Sequence, residues 1–281
     1  MAVEPDENEL TVLVGTLRAA GCVFAEEEAA LLCAEAADAD ALAGLTRRRV
    51  AGEPLELVLG WAGFCGLRIA VEPGVFVPRR RTEFLARSAA ALLGPGAVAV
   101  DLCCGAGAVG AALLALTGPS CGPPGRPDGE PTGGIELHAA DIDPVAVRCA
   151  RRNLAAAIRQ GTAFVYEGDL DAPLPARLAG RVSVLTANVP YVPSAEVPLL
   201  PAEAREHEPL TALDGGADGL DVLRRAVTAG ARWLGPGGST LIEISERQTA
   251  AAAAAFRAAG LATTLLSTEE YATNVMVGRK A

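Results

Sequence analysis

Two short segments hold the residues whose types and spacing can do chemistry. The first runs Asp101-Leu102-Cys103-Cys104-Gly105-Ala106-Gly107-Ala108-Val109-Gly110, in which Gly105, Gly107 and Gly110 spell G-x-G-x-x-G. Glycines at that spacing let the backbone approach a ligand without a Cβ in the way. A helix starting there offers unpaired N–H groups. The second segment is Asn188-Val189-Pro190-Tyr191. The Asn188 amide oxygen and the Val189 carbonyl are two acceptors, and the Tyr191 ring is a flat surface. Together they suit a planar group carrying two N–H hydrogens, a carboxamide or an exocyclic amine. An amide nitrogen is a poor nucleophile because its lone pair is delocalised, so positioning is the main contribution a protein can make. No strong general base is visible beside either segment.

The acids around the glycine turn narrow the ligand. Asp101 stands just before it, an unfavourable place for a pyrophosphate and a favourable one for a cation. S-adenosylmethionine carries an ammonium and a sulfonium and suits such a site. Asp141 ends the apolar stretch 135–140 and can accept hydrogens from two ribose hydroxyls. That supports a ribose without choosing the cofactor. Asp143 before Pro144 reads as a helix N-cap with proline at the first helical position. Gly168-Asp169-Leu170 borders an adenine or is a plain turn.

The elements that must position these residues follow from periodicity. Helices are expected over 10–20, 26–37 and 40–52, the last ending in cations before glycine. Short strands are expected at 67–71 and 75–77 around the turn Glu72-Pro73-Gly74. From 82 onward strands alternate with helices of 10–15 residues, with strands at 97–102, 135–140, 163–166, 182–187, 239–244, 263–266 and 274–277. Helices fit between them, including 144–158. The Gly/Pro-rich stretch 118–134 is expected as a surface loop. Such alternation predicts an α/β fold with a doubly wound, mostly parallel sheet. The expected division is a small helical unit over 1–52, a connecting hairpin over 53–78 and a catalytic domain over 79–281.

These motifs in this order resemble a class I S-adenosylmethionine-dependent methyltransferase. More narrowly, the chain resembles the HemK (PrmC) family of protein-(glutamine-N5) methyltransferases, which modify the Gly-Gly-Gln glutamine of peptide-chain release factors. Besides the two segments, Arg48–Pro54 resembles that family's interdomain segment, and Phe76-Val77-Pro78-Arg79-Arg80-Arg81-Thr82-Glu83 its Pro-Arg-Pro-x-Thr-Glu element. Glu208–Gly216 with Asp218-Gly219-Leu220 resembles the segment after its Asn-Pro-Pro-Tyr. The resemblance covers roughly residues 45–280. It implies a Rossmann-like seven-stranded sheet and S-adenosylmethionine as cofactor. The methionine part would lie against Cys103, Cys104, Gly105, Ala106 and Gly107, the ribose on Asp141 and the adenine beside Asp169 and Leu170. The substrate clamp would be Asn188, Val189, Pro190 and Tyr191. It also implies a cytoplasmic enzyme whose partner is a release factor, docked by the helical unit. Four departures stand out. Val189 replaces proline, Cys103 replaces glycine, Ser245-Glu246-Arg247-Gln248 replaces a His-Gly-containing stretch, and the helical unit is shorter than is typical.

Composition sets the outer limits. The chain has 281 residues, 51% of them apolar and 21% charged, enough for a sizeable core, with a net charge of −10. That charge repels phosphate backbones, so direct nucleic-acid binding is not expected. Arg47–Arg49 and Arg79–Arg81 read as a solvated face or a turn. Seven cysteines without metal spacing read as reduced thiols. No signal peptide and no run long enough for a membrane span is visible. His138 and His207 read as strand and loop histidines, which leaves a nicotinamide dehydrogenase last. Adenine-N6 methylation of nucleic acid, methylation of a small molecule, and non-catalytic cofactor binding remain as alternatives.

Overall fold

The computed structural model describes residue 3, residues 5–118 and residues 134–281. The expected loop over 118–134, with Cys121, lies almost wholly outside the described residues. Among the described residues there are nine strands: β1 (Trp61–Phe64), β2 (Leu67–Ala70), β3 (Val98–Leu102), β4 (Glu136–Asp141), β5 (Ala163–Glu167), β6 (Val182–Ala187), β7 (Leu234–Ile244), β8 (Ala262–Thr268) and β9 (Thr273–Arg279). β3 to β9 form one seven-stranded sheet in the order 5-4-3-6-7-9-8. The pairs from β5 to β7 are parallel, and β9 runs antiparallel to both β7 and β8. This is the mostly parallel, doubly wound sheet that the alternation predicts.

Side-chain alternation explains why both faces are covered. On β3, Val98, Val100 and Leu102 pack with Leu223, Val227 and Phe256 from the helices Asp221–Trp233 and Thr249–Ala258. Ala99 faces the other way, into a core with Leu85, Val109, Leu113 and Ala150 from the helices Glu83–Ala90, Ala108–Leu116 and Pro144–Asn153. The chain steps from β3 to β4 and β5 on one side, then returns to β6 on the other. A crevice opens at the carboxyl ends of β3 and β6, where open α/β sheets hold their ligands.

The described residues up to 50 make three helices, Glu7–Ala19, Ala25–Glu35 and Ala39–Val50, around a core that includes Leu17, Ala29 and Leu32. Asp6 and Glu9 form a capping box, and Asp38 caps the third helix through Ala41 N–H at 2.8 Å. The Arg47–Arg49 run is only partly a solvated face. Arg49 turns inward to Glu28 at 2.6 Å and reaches Glu203 of the helix Ala202–His207 at 3.2 Å. An arginine reads as surface in sequence because its partner acids are distant in the chain.

The hairpin expected at 67–77 is shifted. β2 pairs with β1 through a turn at Cys65 and Gly66, both left-handed at φ 50° and 79°. Val75 and Val77 are instead fully buried core residues. Burying them against the main sheet outweighs pairing a strand next to Pro73, which has no N–H to donate. The helix expected over 144–158 is broken at Leu154 into Pro144–Asn153 and Ala155–Arg159.

Candidate active site

The glycine turn follows β3 with Cys103, Gly105 and Gly107 all left-handed, at φ 52°, 53° and 78°. Each of the last two glycines of the motif has its own reason. A Cβ on Gly107 would stand 3.1 Å from Ala150 Cβ, and one on Gly110 would stand 2.9 Å from Leu137 Cδ2. These are helix-to-helix and helix-to-strand approaches. A Cβ on Gly105 would meet nothing within 4 Å, because that residue faces the open crevice. The backbone there forms a cradle.

Asp141 joins the turn to β4. Its Oδ2 accepts from Gly105 N–H at 2.8 Å and its Oδ1 from Asp143 N–H at 3.0 Å. Burial pushes its pKa up, and the two N–H groups pull it back. A carboxylate held by one bond per oxygen keeps lone pairs for two hydroxyls, so the donor set fits a ribose. Asp143 is the N-cap, accepting from Val145 N–H at 2.7 Å, with Pro144 at the first helical position. Asp101 lines the crevice but is itself buried. Its oxygens accept from Thr186 Oγ1 at 2.8 Å and Gly110 N–H at 3.2 Å. Desolvation pushes its pKa up to about 7. Burial likewise raises the Cys103 and Cys104 thiols, so both are inert at neutral pH.

Asp169 and Leu170 follow β5 without lining the crevice. Leu170 is left-handed at φ 50° and buried in the core cluster that Cys103 packs against. Asp169 is paired with Arg225 at 2.6 Å. The structure therefore gathers Cys103 to Ala106, Asp101, Asp141 and Asn188 to Tyr191 around one crevice, while Gly107 packs on Ala150 behind it and Asp169 and Leu170 stand at its margin.

Asn188 follows the last residue of β6. Its Nδ2 donates to Thr82 Oγ1 at 3.4 Å, and among the described residues no donor reaches its Oδ1. Val189 is 1% exposed and packs into the core, so the residue that replaces proline is fixed by burial. Tyr191 accepts at its hydroxyl from Arg81 Nη2 and at its carbonyl from Gln248 Nε2 at 2.9 Å. Burial raises its pKa, so the phenol stays neutral.

Several residues of the site are not recognisable from sequence as such. Arg79 and Arg81, read as a turn or solvated face, are ion-paired with the buried acids Glu208 at 2.6 Å and Glu243 at 2.9 Å. Gly215 and Gly219 pack against the backbone of the Asn188–Tyr191 segment. A Cβ on Gly215 would stand 2.6 Å from the Pro190 carbonyl oxygen, and one on Gly219 2.2 Å from that of Tyr191. Glycines in Asp214-Gly215-Gly216 and Asp218-Gly219 were the available signal, but nothing local says which backbone they must approach. His138 is fully buried between Tyr166 and Glu136, stacked on Phe164, as a strand histidine.

No protein-family model matches the chain. Curated relatives do. A release factor glutamine methyltransferase of Geobacter sulfurreducens is 34% identical over 72% of this chain, which spans 64% of that protein's length. One of Mycolicibacterium smegmatis is 35% identical over 86% of this chain and 85% of its own length. A 4-amino-L-phenylalanine/4-methylamino-L-phenylalanine methyltransferase of Streptomyces pristinaespiralis is 38% identical over 76% of this chain and 68% of its own. Among solved structures, a methyltransferase from Pyrococcus furiosus superposes with a TM-score of 0.53 over 77% of this chain and 90% of its own, at 15% identity, a likeness of fold. With the glycine turn, Asp141 and the Asn188–Tyr191 segment at one crevice, and a relative aligned along most of both chains, this protein belongs to the release factor glutamine methyltransferase family.

Proposed function

We propose that this protein transfers a methyl group from S-adenosylmethionine to the side-chain amide nitrogen of a protein glutamine, in a peptide-chain release factor. The observation that carries this reading is the orientation of Asn188. Its Nδ2 donates to Thr82 Oγ1, and among the described residues no donor reaches its Oδ1 in the crevice it shares with Tyr191. S-adenosylmethionine supplies an electrophilic methyl on a sulfonium. Asp141 and the Cys103–Gly107 turn would hold it, Asp101 would supply negative potential to the site, and Asp169 and Leu170, at the margin of the crevice, would border its adenine from there. Asn188 Oδ1 and the Val189 carbonyl take the two N–H hydrogens of the acceptor, and Tyr191 packs on the flat amide. Both acceptors point the nitrogen along the line of attack. Holding reactants in such a geometry is worth up to roughly 7–11 kcal/mol in ideal models. The attacking nitrogen becomes acidic only as it gains the methyl, so no base is needed beforehand.

The three-helix unit within 1–52 docks the protein substrate, 53–78 connects, and 79–281 is the catalytic domain. No helix among the described residues is long and apolar enough to cross a membrane, and we place the enzyme in the cytoplasm with its partner. Nucleic acid is not a partner.

The Streptomyces pristinaespiralis relative motivates one second acceptor: an aromatic amine, whose nitrogen also carries two N–H hydrogens on a conjugated planar group. One assay separates the readings. The full-length protein is incubated with methyl-labelled S-adenosylmethionine and, in parallel, purified release factors, 4-amino-L-phenylalanine and DNA. Label on the Gly-Gly-Gln glutamine supports the proposal. Label on the amine alone, or on DNA, overturns it.

A further inference from the structure

The crevice that holds Asn188 and Tyr191 also carries a charge pair for which the methyl-transfer geometry has no use. Arg79 donates from Nη2 to Glu208 Oε1 at 2.6 Å, and both residues line the crevice. Glu208 stands 129 positions further along the chain with its side chain only 1% exposed, and it also accepts from Val77 N–H at 3.3 Å. The Arg79 guanidinium lies over the Phe76 ring at 5.1 Å, so an acid and an aromatic face fix it together. A guanidinium has five N–H groups, and among the described residues Arg79 donates to Glu208 alone. Its side chain is 34% exposed, which leaves the other N–H groups accessible from the crevice.

Charge balance decides what those N–H groups suit. An unpaired arginine takes a carboxylate through two parallel bonds. Here a buried carboxylate already cancels the charge. Arg81, the other arginine lining the crevice, is paired with Glu243 in the same way. An anion entering beside Arg79 would meet Glu208 at close range, with Asp101 and Asp141 in the same crevice. A neutral carbonyl oxygen meets no such repulsion, and it still accepts from a charged donor, a stronger bond than one between neutral groups. A glutamine within a peptide brings main-chain carbonyls on both sides of its side chain. A free amino acid brings a carboxylate for which no unpaired cation waits.

We propose that Arg79 is a specificity-determining residue: it takes a main-chain carbonyl of an acceptor peptide, and Glu208, by cancelling its charge, disfavours a free carboxylate. As a stabilising device alone the pair would be weak, because buried ion pairs roughly cancel their desolvation cost. The turnover arm of the test rests on the methyl-transfer reading above, and the binding arm does not.

The experiment compares the parent with Glu208→Gln and with the double variant Arg79→Gln, Glu208→Gln, which leaves no buried charge unpaired. Two probes of nearly one shape, N-acetyl-4-amino-L-phenylalanine and its carboxamide, are titrated by calorimetry into protein saturated with S-adenosylhomocysteine, which has no methyl to transfer. In the parent the carboxamide should bind at least as tightly as the acid. In Glu208→Gln, where Arg79 keeps its charge without a counter-ion, the acid should bind about tenfold tighter than the carboxamide, the scale of one hydrogen bond to a charged group. In the double variant that advantage should vanish. On a release factor, the double variant should raise KM about tenfold and keep kcat within about twofold, because the lost bond positions the peptide and not the reacting nitrogen. An acid that binds no better than its carboxamide in Glu208→Gln, or a double variant with the parental KM, overturns the proposal. So does a tenfold loss of S-adenosylmethionine affinity in the double variant, which would assign the pair to the cofactor. Should Glu208→Gln fail to fold, the KM of the double variant decides. A parent that methylates no release factor sinks the functional reading, and the comparison of acid with carboxamide still judges this one.

Discussion

The two sides of the crevice are built by different means. On the side proposed for the cofactor, backbone shapes the site. Asp141 takes N–H groups from Gly105 and Asp143, and the turn is shaped by left-handed residues one strand away. On the acceptor side, side chains do it. Asn188, Tyr191 and their holders Thr82, Arg81, Glu243 and Gln248 come from segments as far as 162 positions apart. A backbone cradle is specified mostly by local conformation, with the Asp141 carboxylate as the one side chain that ties it together. A side-chain clamp is adjustable, so neighbouring functions within one fold are expected to diverge on that side. The aromatic-amine and glutamine methyltransferases among the relatives are consistent with this.

The comparison breaks most sharply at Asn188. Asn188→Ala should leave folding intact and S-adenosylmethionine affinity within about tenfold. Turnover should fall by roughly 10²–10⁴, equivalent to about 2.7–5.5 kcal/mol of transition-state stabilisation. Steady-state kinetics beside calorimetry checks this. A variant that keeps more than about a third of parental turnover would show that the clamp does not aim the nitrogen.

Next comes the matching change on the other side. Asp141→Ala should weaken S-adenosylmethionine by about 1.5–3 kcal/mol, the range for hydrogen bonds to a charged group. Turnover at saturating cofactor should change little. Loss of kcat with unaltered cofactor affinity would reverse the division of labour between the two sides.

Asp101 sharpens the comparison through pH. Its folded value, about 7, lies above the 3.8 of an ordinary Asp, so the folded protein holds more protons than the unfolded chain between those values. The stability it contributes is therefore full below about pH 4 and is lost as pH rises through 7. Asp101→Asn should gain stability relative to the parent between pH 5 and 8, measured by denaturant unfolding. A bound cation favours the ionised acid, so cofactor affinity in the parent should rise, by up to about tenfold, as pH passes through 7. The Asn variant should show no such rise. A flat parental profile would mean that Asp101 does not sense the cofactor.

What could be read in the sequence follows the same divide. The sheet, the glycine turn, Asp141, the Asp143–Pro144 cap and the clamp tetrapeptide are local patterns, and each stands where periodicity and turn chemistry put it. Arg49, Arg79 and Arg81 look like surface in sequence, because a cation's buried partner is set by the tertiary fold. The hairpin was misplaced for a similar reason. Val75 and Val77 have strand-like composition, yet the core takes them. The two short helices between 202 and 213 and the strand β1 gave no clear period, being too short to show one.

The smallest effect tests whether the cofactor side is shaped by backbone at all. Cys103 is left-handed at φ 52°, where an L side chain costs about 1–2 kcal/mol and glycine costs nothing. Replacing it directly by glycine would mix two changes, since the thiol also packs against the core cluster below the turn. Comparing Cys103→Gly with Cys103→Ala separates them. Both variants lose the sulfur, and only alanine keeps a Cβ in the left-handed position. Alanine also restricts the unfolded chain more than glycine does, which offsets part of the difference in its favour. With that offset, Cys103→Gly should still unfold at higher denaturant than Cys103→Ala, by about 0.5–1 kcal/mol, with S-adenosylmethionine affinity equal in the two. An alanine variant as stable as the glycine one would mean the turn relaxes out of its left-handed form. The cradle would then be held by the cysteine side chain and not by the backbone, and the contrast between the two sides of the crevice would disappear at this position.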